Sequence, residues 1–365
     1  MPERRALGFG RRSEAVPDSR DGADERPWPT GIAKLDEEAA VPLLPERPAR
    51  GDKGSFGKLL VIAGSLDYAG AALLVCRAAG RAGVGLVTLA VPETLQPLFA
   101  AKVVEATTMA LPEDDVEEID PEPALARILD HEHDALVVGP GLRPGLATAE
   151  LVRELIAAPP DETRPPLVLD AEALRSLATM DTWWEGDRRS AVLTPHAGEF
   201  ARLRTGSGID ATADGDLVGD DDSRVAAVKD AATTWRQVVV LKGARTVIAS
   251  PEGEVVVAPF ENPALATGGT GDVLAGAIGA LLGQGLAPFA AARLGVYLHG
   301  AAGDAMRERF GDAGVLASDL PDALAIARRR LAGLAERRKS DKRLGFRVRE
   351  AASPPAPETP DPTPA

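Results

Sequence analysis

Between about residue 51 and residue 335 the chain alternates short apolar runs, rich in β-branched residues, with longer stretches of helical periodicity. Nothing else in the sequence restricts its fold so much. The runs at 58–63, 86–91, 105–110, 135–138, 167–169, 191–193 and 238–241 are mostly apolar throughout, as strands buried on both faces must be. Helical patterns lie at 69–83, 146–157, 223–235, 271–282, 288–307 and 318–334. Residues 246–249 and 254–258, joined through Ser-Pro-Glu-Gly, read as a hairpin. Repeated strand-then-helix order predicts an α/β fold: a mainly parallel central sheet with helices on both faces.

In such sheets ligands bind beyond the carboxyl ends of the strands. Glycines and polar residues collect at those ends here. The strands run out into Ala63-Gly-Ser, Val138-Gly-Pro-Gly, Leu169-Asp-Ala-Glu, Leu193-Thr-Pro-His-Ala-Gly-Glu and Leu241-Lys-Gly-Ala-Arg-Thr. Five polar ends are therefore expected along one edge.

A sixth element belongs with them. Residues 262–276 read Asn-Pro-Ala-Leu-Ala-Thr-Gly-Gly-Thr-Gly-Asp-Val-Leu-Ala-Gly, a glycine-rich turn opening into an apolar helix. Glycine lets backbone approach a ligand closely, and a helix N-terminus offers free N–H groups to an anion. Asp272 would repel a phosphate if it did nothing else. Beside a phosphate-binding turn it makes chemical sense as a base facing a hydroxyl that attacks phosphorus, with Gly268, Gly269, Thr270 and Gly271 giving amides to the transferring group. An Asp after a glycine turn can also simply cap a helix.

Composition sets the outer limits. The net charge of −14 argues against nucleic acid as a main partner. No apolar stretch is long enough to span a membrane, and the polar, Arg-rich start lacks a signal-peptide core, so a cytoplasmic location is expected. Cys76 is the only cysteine; it excludes internal disulfides and Cys-cluster metal sites and reads as a small core residue. Residues 1–32 read as a disordered tail, 33–335 as one folded domain, and 336–365 as a basic, then Pro-rich, disordered tail.

Taken together the segments resemble the ribokinase-like superfamily and, within it, the NAD(P)H-hydrate dehydratases. The resemblance rests on residues 54–65 (Gly-Ser-Phe-Gly-Lys-Leu-Leu-Val-Ile-Ala-Gly-Ser), 70–74 (Gly-Ala-Ala-Leu-Leu), 139–142, 169–174, 194–200 (Thr-Pro-His-Ala-Gly-Glu-Phe), 240–246 and the string at 262–276. It implies a ribokinase-like fold and dehydration of the S-epimer of hydrated NADH or NADPH, with ADP (or ATP) as phosphoryl donor and Mg2+ as escort. It implies substrate contacts from Ala71, Gly141, His196 and Asp272, and nucleotide contacts from Lys242, Gly243, Ala244, Arg245, Thr246 and Gly271. The bacterial look of the pattern favours ADP. By the same resemblance the enzyme works as a homo-oligomer, a tetramer in relatives. Roughly fifty residues before the match leave no room for the epimerase domain that many bacterial relatives carry, so a separate epimerase is expected.

Several roles stay open on the residues alone. Asp170 and Glu172 suit a magnesium ion, and Asp170 equally suits a helix N-cap. His196 suits substrate contact or a helix cap; no companion Cys or His completes a zinc site. Asn262 suits a loop-fixing hydrogen bond. A vitamin-precursor kinase, or a non-catalytic nucleotide-binding protein on the same fold, are the competing readings.

Overall fold

Successive residues of a strand point to opposite faces, so a run apolar at every position needs cover on both. In the computed structural model, which describes residues 27–157, 164–209 and 215–351, that cover is supplied by two layers of helices. The strands are β1 (Ala33–Lys34), β2 (Lys58–Ile62), β3 (Leu86–Pro92), β4 (Thr107–Leu111), β5 (Glu113–Asp115), β6 (Glu118–Ile119), β7 (Ala135–Val138), β8 (Leu167–Leu169), β9 (Ala191–Leu193), β10 (Val238–Leu241), β11 (Val247–Ala249) and β12 (Val255–Val257). Among the described residues the main sheet has ten strands, ordered β1-β12-β11-β10-β9-β8-β7-β2-β3-β4, while β5 and β6 pair separately. From β10 to β4 every neighbouring pair is parallel. The hairpin read at 246–258 is present as antiparallel β11 and β12, and β12 is flanked by parallel β1.

The helices are α1 (Glu37–Ala40), α2 (Ala69–Ala82), α3 (Gln96–Ala100), α4 (Pro121–Asp130), α5 (Leu146–Ala157), α6 (Glu172–Leu177), α7 (Ala197–Gly206), α8 (Asp221–Trp235), α9 (Thr270–Gly283), α10 (Pro288–Phe310) and α11 (Leu320–Ala351). Alternate strand residues feed two separate cores. Leu59, Val61, Val137, Val168, Val192 and Val240 pack under α2, α9, α10 and α11. Leu60, Ile62, Leu136, Val138, Leu169 and Leu241 pack under α4 to α8. Burying side chains on both faces stabilises the sheet by about 1.5–3 kcal/mol for each large apolar residue, before chain entropy is subtracted. In the first layer α9 lies almost against α2: a β-carbon on Gly276 would run into the Val75 carbonyl oxygen. That close approach fixes the N-terminus of α9 relative to α2, and with it the glycine-rich turn. Cys76 is 8% exposed in this core, and burial pushes its thiol up to about 12.

Three differences from the sequence expectations concern boundaries. Helices α1, α3, α4, α6 and α7 stand outside the helical patterns read from the sequence: α1, α3 and α6 are shorter than two turns, α4 opens with Pro-Glu-Pro, and α7 carries a weakly apolar face. The tail expected from residue 336 is helical through Ala351, an extension of α11 whose basic sequence carries no apolar stripe to betray it. At the other end Trp28 and Ile32 pack against the second core, and the Trp28 indole donates to the Ile32 carbonyl (2.9 Å). The tail expected over 1–32 thus includes ordered residues from Pro27 on; the remainder, 1–26 and 352–365, lies outside the described residues.

Candidate active site

Past the carboxyl ends of the strands the backbones keep hydrogen bonding, which brings the polar ends together. Gly64 N–H donates to the Pro140 carbonyl (2.9 Å), Asp170 to Val138 (3.2 Å), Thr194 to Leu169 (3.2 Å) and Lys242 to Pro195 (2.8 Å). The five segments read as strand ends therefore do line one edge. Loop 262–271 closes over it from the α9 side.

The turn depends on Gly269, at φ +91°, where a β-carbon would sit 2.7 Å from Leu74 Cδ1. Only glycine combines that backbone with that space. The Thr270 hydroxyl reaches the Leu265 carbonyl (2.8 Å) and the Thr270 N–H donates to Thr267 (3.3 Å), so this residue braces the turn and its amide is already engaged. No side chain caps α9. The amides of Gly271 and Asp272, in the first helical turn, therefore have no acceptor within the helix and face the edge with the positive end of the dipole. Asn262 holds the start of the same loop, accepting from Ala264 N–H (2.9 Å) and donating to Asp304 (3.0 Å).

Next to this turn lies a charged cluster. Lys242 Nζ is 2.7 Å from Asp170 Oδ1 and 3.8 Å from Glu199 Oε2. Asp170 is 2% exposed and also accepts from the Thr194 hydroxyl (2.8 Å). A β-carbon on Gly271 would lie 3.4 Å from Lys242 Nζ and 3.9 Å from Asp170 Oδ2, which puts the pair directly under the first turn of α9. Burial raises the Asp272 carboxyl to about 7; the negative Asp170 adds to the rise and Lys242 opposes it. Burial by itself would lower Lys242, but Asp170, Glu199 and Asp272 outweigh it and hold the ammonium above its usual range. A carboxyl near 7 beside free amides is suited to proton transfer at neutral pH, since a base works best when its pKa lies near the working pH.

A cavity of about 460 Å3 opens beside the cluster, lined by Lys242, Gly243, Ala244 and Thr246 on one side and by Phe260, Asn262, Leu265, Thr270, Gly271, Val296 and His299 on the other. Its mix of apolar wall and few polar groups is typical of small-molecule sites. Sequence reasoning misses His299, which inside the apolar helix α10 looks like any core residue. Its Nε2 lies 2.9 Å from the Thr270 carbonyl, and burial pushes the imidazole down to about 4, so it is neutral and Nε2–H donates to the turn.

Other predicted residues have narrower placements. Arg245 is absent from the cavity wall: its guanidinium pairs with Asp221 (3.0 Å) and Glu261, donates to the Pro27 carbonyl (3.1 Å) and lies over the Trp28 ring. Arg224, which carries no signal in the sequence, is buried beneath this loop and donates to the Ala244 and Leu241 carbonyls. His196 Nδ1 accepts from Gly198 (3.1 Å) and Glu199 (3.3 Å) while Glu199 accepts from His196 N–H (2.9 Å), a capping box for α7, and the exposed ring's Nε2 lies 3.4 Å from Glu199 Oε1. Gly141, at φ +66°, abuts α2: a β-carbon there would sit 2.9 Å from Ala71 Cβ. Glu172 pairs with Arg175 (3.7 Å), and burial raises its carboxyl. Among the described residues no three His, Cys, Asp or Glu side chains are grouped to hold a metal ion. With Asp170 already bound to Lys242 and Thr194, the residues fit a magnesium ion that arrives on phosphate oxygens, not one held in a protein cage.

A mainly parallel sheet of this order, with a glycine turn, an uncapped helix and a carboxylate at its carboxyl edge, defines a ribokinase-like α/β protein; a ribokinase-like superfamily protein from Enterococcus faecalis shares the fold (TM-score 0.67, 24% identity, 84% of this chain and 99% of that one). A family profile described as NAD(P)H-hydrate dehydratase matches residues 59–325. The chain belongs to the NAD(P)H-hydrate dehydratase family. It is 44% identical over 291 residues to the bifunctional NAD(P)H-hydrate repair enzyme Nnr of Moorella thermoacetica, covering 79% of this chain and 52% of that protein. It is 36% identical over 282 residues to the ADP-dependent (S)-NAD(P)H-hydrate dehydratase of Neisseria meningitidis, covering 76% and 87%. The crystal structure of the ADP/ATP-dependent NAD(P)H-hydrate dehydratase from Bacillus subtilis, co-crystallized with ATP/Mg2+, aligns with a TM-score of 0.68 at 31% identity over 83% of this chain and 99% of that one. The chain spans about half the length of the bifunctional relatives it matches.

Proposed function

We propose that the chain returns the S-epimer of hydrated NADH and NADPH to the reduced cofactor, consuming ADP as phosphoryl donor. The observation that carries this reading is the Asp272 carboxyl, raised to about 7, beside the uncapped amides of α9 and the Lys242–Asp170 pair. Hydroxide is a poor leaving group, its conjugate acid having a pKa near ~15.7 against ~6 for the second ionisation of a phosphoryl group. Phosphorylating the ring hydroxyl removes that obstacle. Asp272 takes the proton from the hydroxyl as its oxygen attacks the terminal phosphorus of the donor and AMP leaves. The ring nitrogen lone pair then expels phosphate, and loss of a proton from the adjacent ring carbon restores the double bond.

The amides of Gly268, Gly269, Gly271 and Asp272 face the phosphoryl oxygens, and Lys242 supplies positive charge beside them. The cavity between the 242–246 loop and α10 takes the donor, with Gly243, Ala244 and Thr246 along its phosphates and sugar. Magnesium on those phosphates would neutralise charge during transfer. Ala71, Gly141 and His196 flank the hydrate. The protein acts in the cytoplasm as a homo-oligomer, a tetramer, alongside a separate epimerase that supplies the S-epimer.

The test is recovery of dihydronicotinamide absorbance from purified hydrate, with ADP and ATP compared at equal concentration. Faster recovery with ADP is expected. Absence of recovery with either donor refutes the assignment, and transfer of phosphate to a small alcohol instead would identify a vitamin-precursor kinase.

A further inference from the structure

A turn that binds a transferring phosphoryl group has to keep its amides aimed while charge develops on the oxygens. Helix α10 is the element that braces this one from outside. Four of its residues meet the loop that runs from Phe260 to Gly271. A β-carbon on Gly300 would run into the Phe260 ring, and one on Gly303 would lie 2.8 Å from Leu265 Cδ1, so at both positions the loop side chains lie against the helix backbone. Asp304 Oδ1 accepts from the Asn262 amide (3.0 Å), and His299 Nε2 lies 2.9 Å from the Thr270 carbonyl oxygen. Positions 299, 300, 303 and 304 fall along one stripe of a helix.

Among these contacts the one from His299 bears on the chemistry. The Thr270 carbonyl and the Gly271 N–H belong to a single peptide unit, planar and trans, so the two bonds point in opposite directions and can only turn together. In an α-helix a carbonyl accepts the N–H four residues on, which for Thr270 occupies one of two lone pairs. The imidazole takes the other. A carbonyl only accepts, so the proton of the neutral ring sits on Nε2. On the other side of the same residue, the Thr270 N–H and hydroxyl are already engaged with Thr267 and Leu265. Two donors on one oxygen keep the first peptide of α9 from tilting, and the Gly271 N–H at its far end stays directed at the sheet edge. Hydrogen bonding at the oxygen also polarises the amide, which makes that N–H a stronger donor.

We infer that His299 is a positioning residue for phosphoryl transfer: through the Thr270 carbonyl it aims and strengthens the Gly271 amide that receives the transferring group. This role rests on the reading of the turn as the phosphoryl site, given above. It has a kinetic signature of its own. A ring that only packed would cost stability when lost, and a ring that bound the donor would cost KM. A ring that orients an anion-hole amide costs kcat, because the amide counts for most once negative charge has built up on the phosphoryl oxygens.

The experiment compares wild type with His299→Leu, which fills the space without a donor, and His299→Gln, whose amide N–H reaches as far as Nε2. His299→Asn, too short to reach Thr270, gives the same contrast with Gln should the Leu variant fail to fold. Each is assayed with hydrated NADH and ADP, and each is titrated with orthovanadate, a mimic of the transferring phosphoryl group, in the presence of AMP. In His299→Leu, kcat is expected to fall about tenfold or more, short of the ~10²–10³ that losing an anion-hole donor outright costs, while the KM for ADP stays close to wild type. Vanadate affinity is expected to fall with kcat, and His299→Gln to recover most of both. Wild-type kcat in His299→Leu, a Gln variant no better than Leu or Asn, or a loss confined to the KM for ADP overturns the role. Vanadate binding needs no hydrate, so the two readings fail separately. Absence of hydrate turnover by wild type overturns the dehydratase reading, and weaker vanadate binding in Leu or Asn than in Gln would still support His299. Equal vanadate affinity in all the proteins, or none in wild type, overturns it.

Discussion

Replacing Asp272 by Asn should abolish turnover and, at the same time, make the protein more stable above neutral pH. The carboxyl rises from an ordinary 3.8 to about 7 on folding. The folded state therefore holds the proton more tightly than the unfolded chain. Native stability falls as pH climbs from about 4 to 7, and the full cost is present above that window. Three units at about 1.4 kcal/mol each give an upper bound of about 4 kcal/mol, and residual solvent contact reduces this to about 2–4 kcal/mol. The asparagine side chain does not titrate, so the variant escapes that cost. Against this, a carboxylate in the first turn of α9 is favoured by the helix dipole by about 0.3–1 kcal/mol. Burial wins, leaving about 1–3 kcal/mol in favour of the variant at pH 8 and almost nothing at pH 4. Urea unfolding of both proteins at pH 8 and at the lowest pH where both are folded would measure the difference. Loss of a general base should lower kcat/KM by about 10²–10⁴-fold in the same preparation. A variant less stable than wild type at pH 8, a stability difference independent of pH, or near-wild-type activity would each refute the reasoning.

The remaining expectations concern neighbouring groups. For wild type, kcat/KM should rise as Asp272 ionises through pH 7 and then level off; in Lys242→Met the rise should move to higher pH, because Lys242 holds the Asp272 carboxyl down, and the plateau should fall. Arg245→Ala should cost about 1–3 kcal/mol in thermal unfolding by removing one of Asp221's two arginine partners and freeing the Pro27–Trp28 segment, while the KM for the donor stays close to wild type. A large rise in that KM would show that the guanidinium reaches the nucleotide after all. His196→Ala should lose about 1 kcal/mol of stability with the α7 capping box, and raise the KM for the hydrate more than that for ADP.

Much of the fold is legible in the chain because two signals are local. A parallel strand buried on both faces must be apolar at every position, so 135–138, 167–169, 191–193 and 238–241 can be read to the residue. The turn at 267–272 likewise writes its own conformation: the left-handed backbone of Gly269 tolerates no side chain, and Asp272 follows at the helix start. Roles that depend on what lies across the edge are not legible in this way. The Lys-Gly-Ala-Arg-Thr segment lines the cavity, yet Arg245 is not part of its wall, because Asp221, Glu261 and Trp28 surround the guanidinium. His299 acquires its place at the turn only when α10 packs against α9. The rise of the Asp272 carboxyl to about 7 depends on burial and on an aspartate a hundred residues earlier. Short-range sterics and patterning are properties of neighbouring residues, so the strands, the helix-opening turn and the carboxylate at its start are written in the chain. Burial and charge at a site come from residues that meet only in space, so the side chains facing that carboxylate, and its pKa, emerge only once the chain has folded.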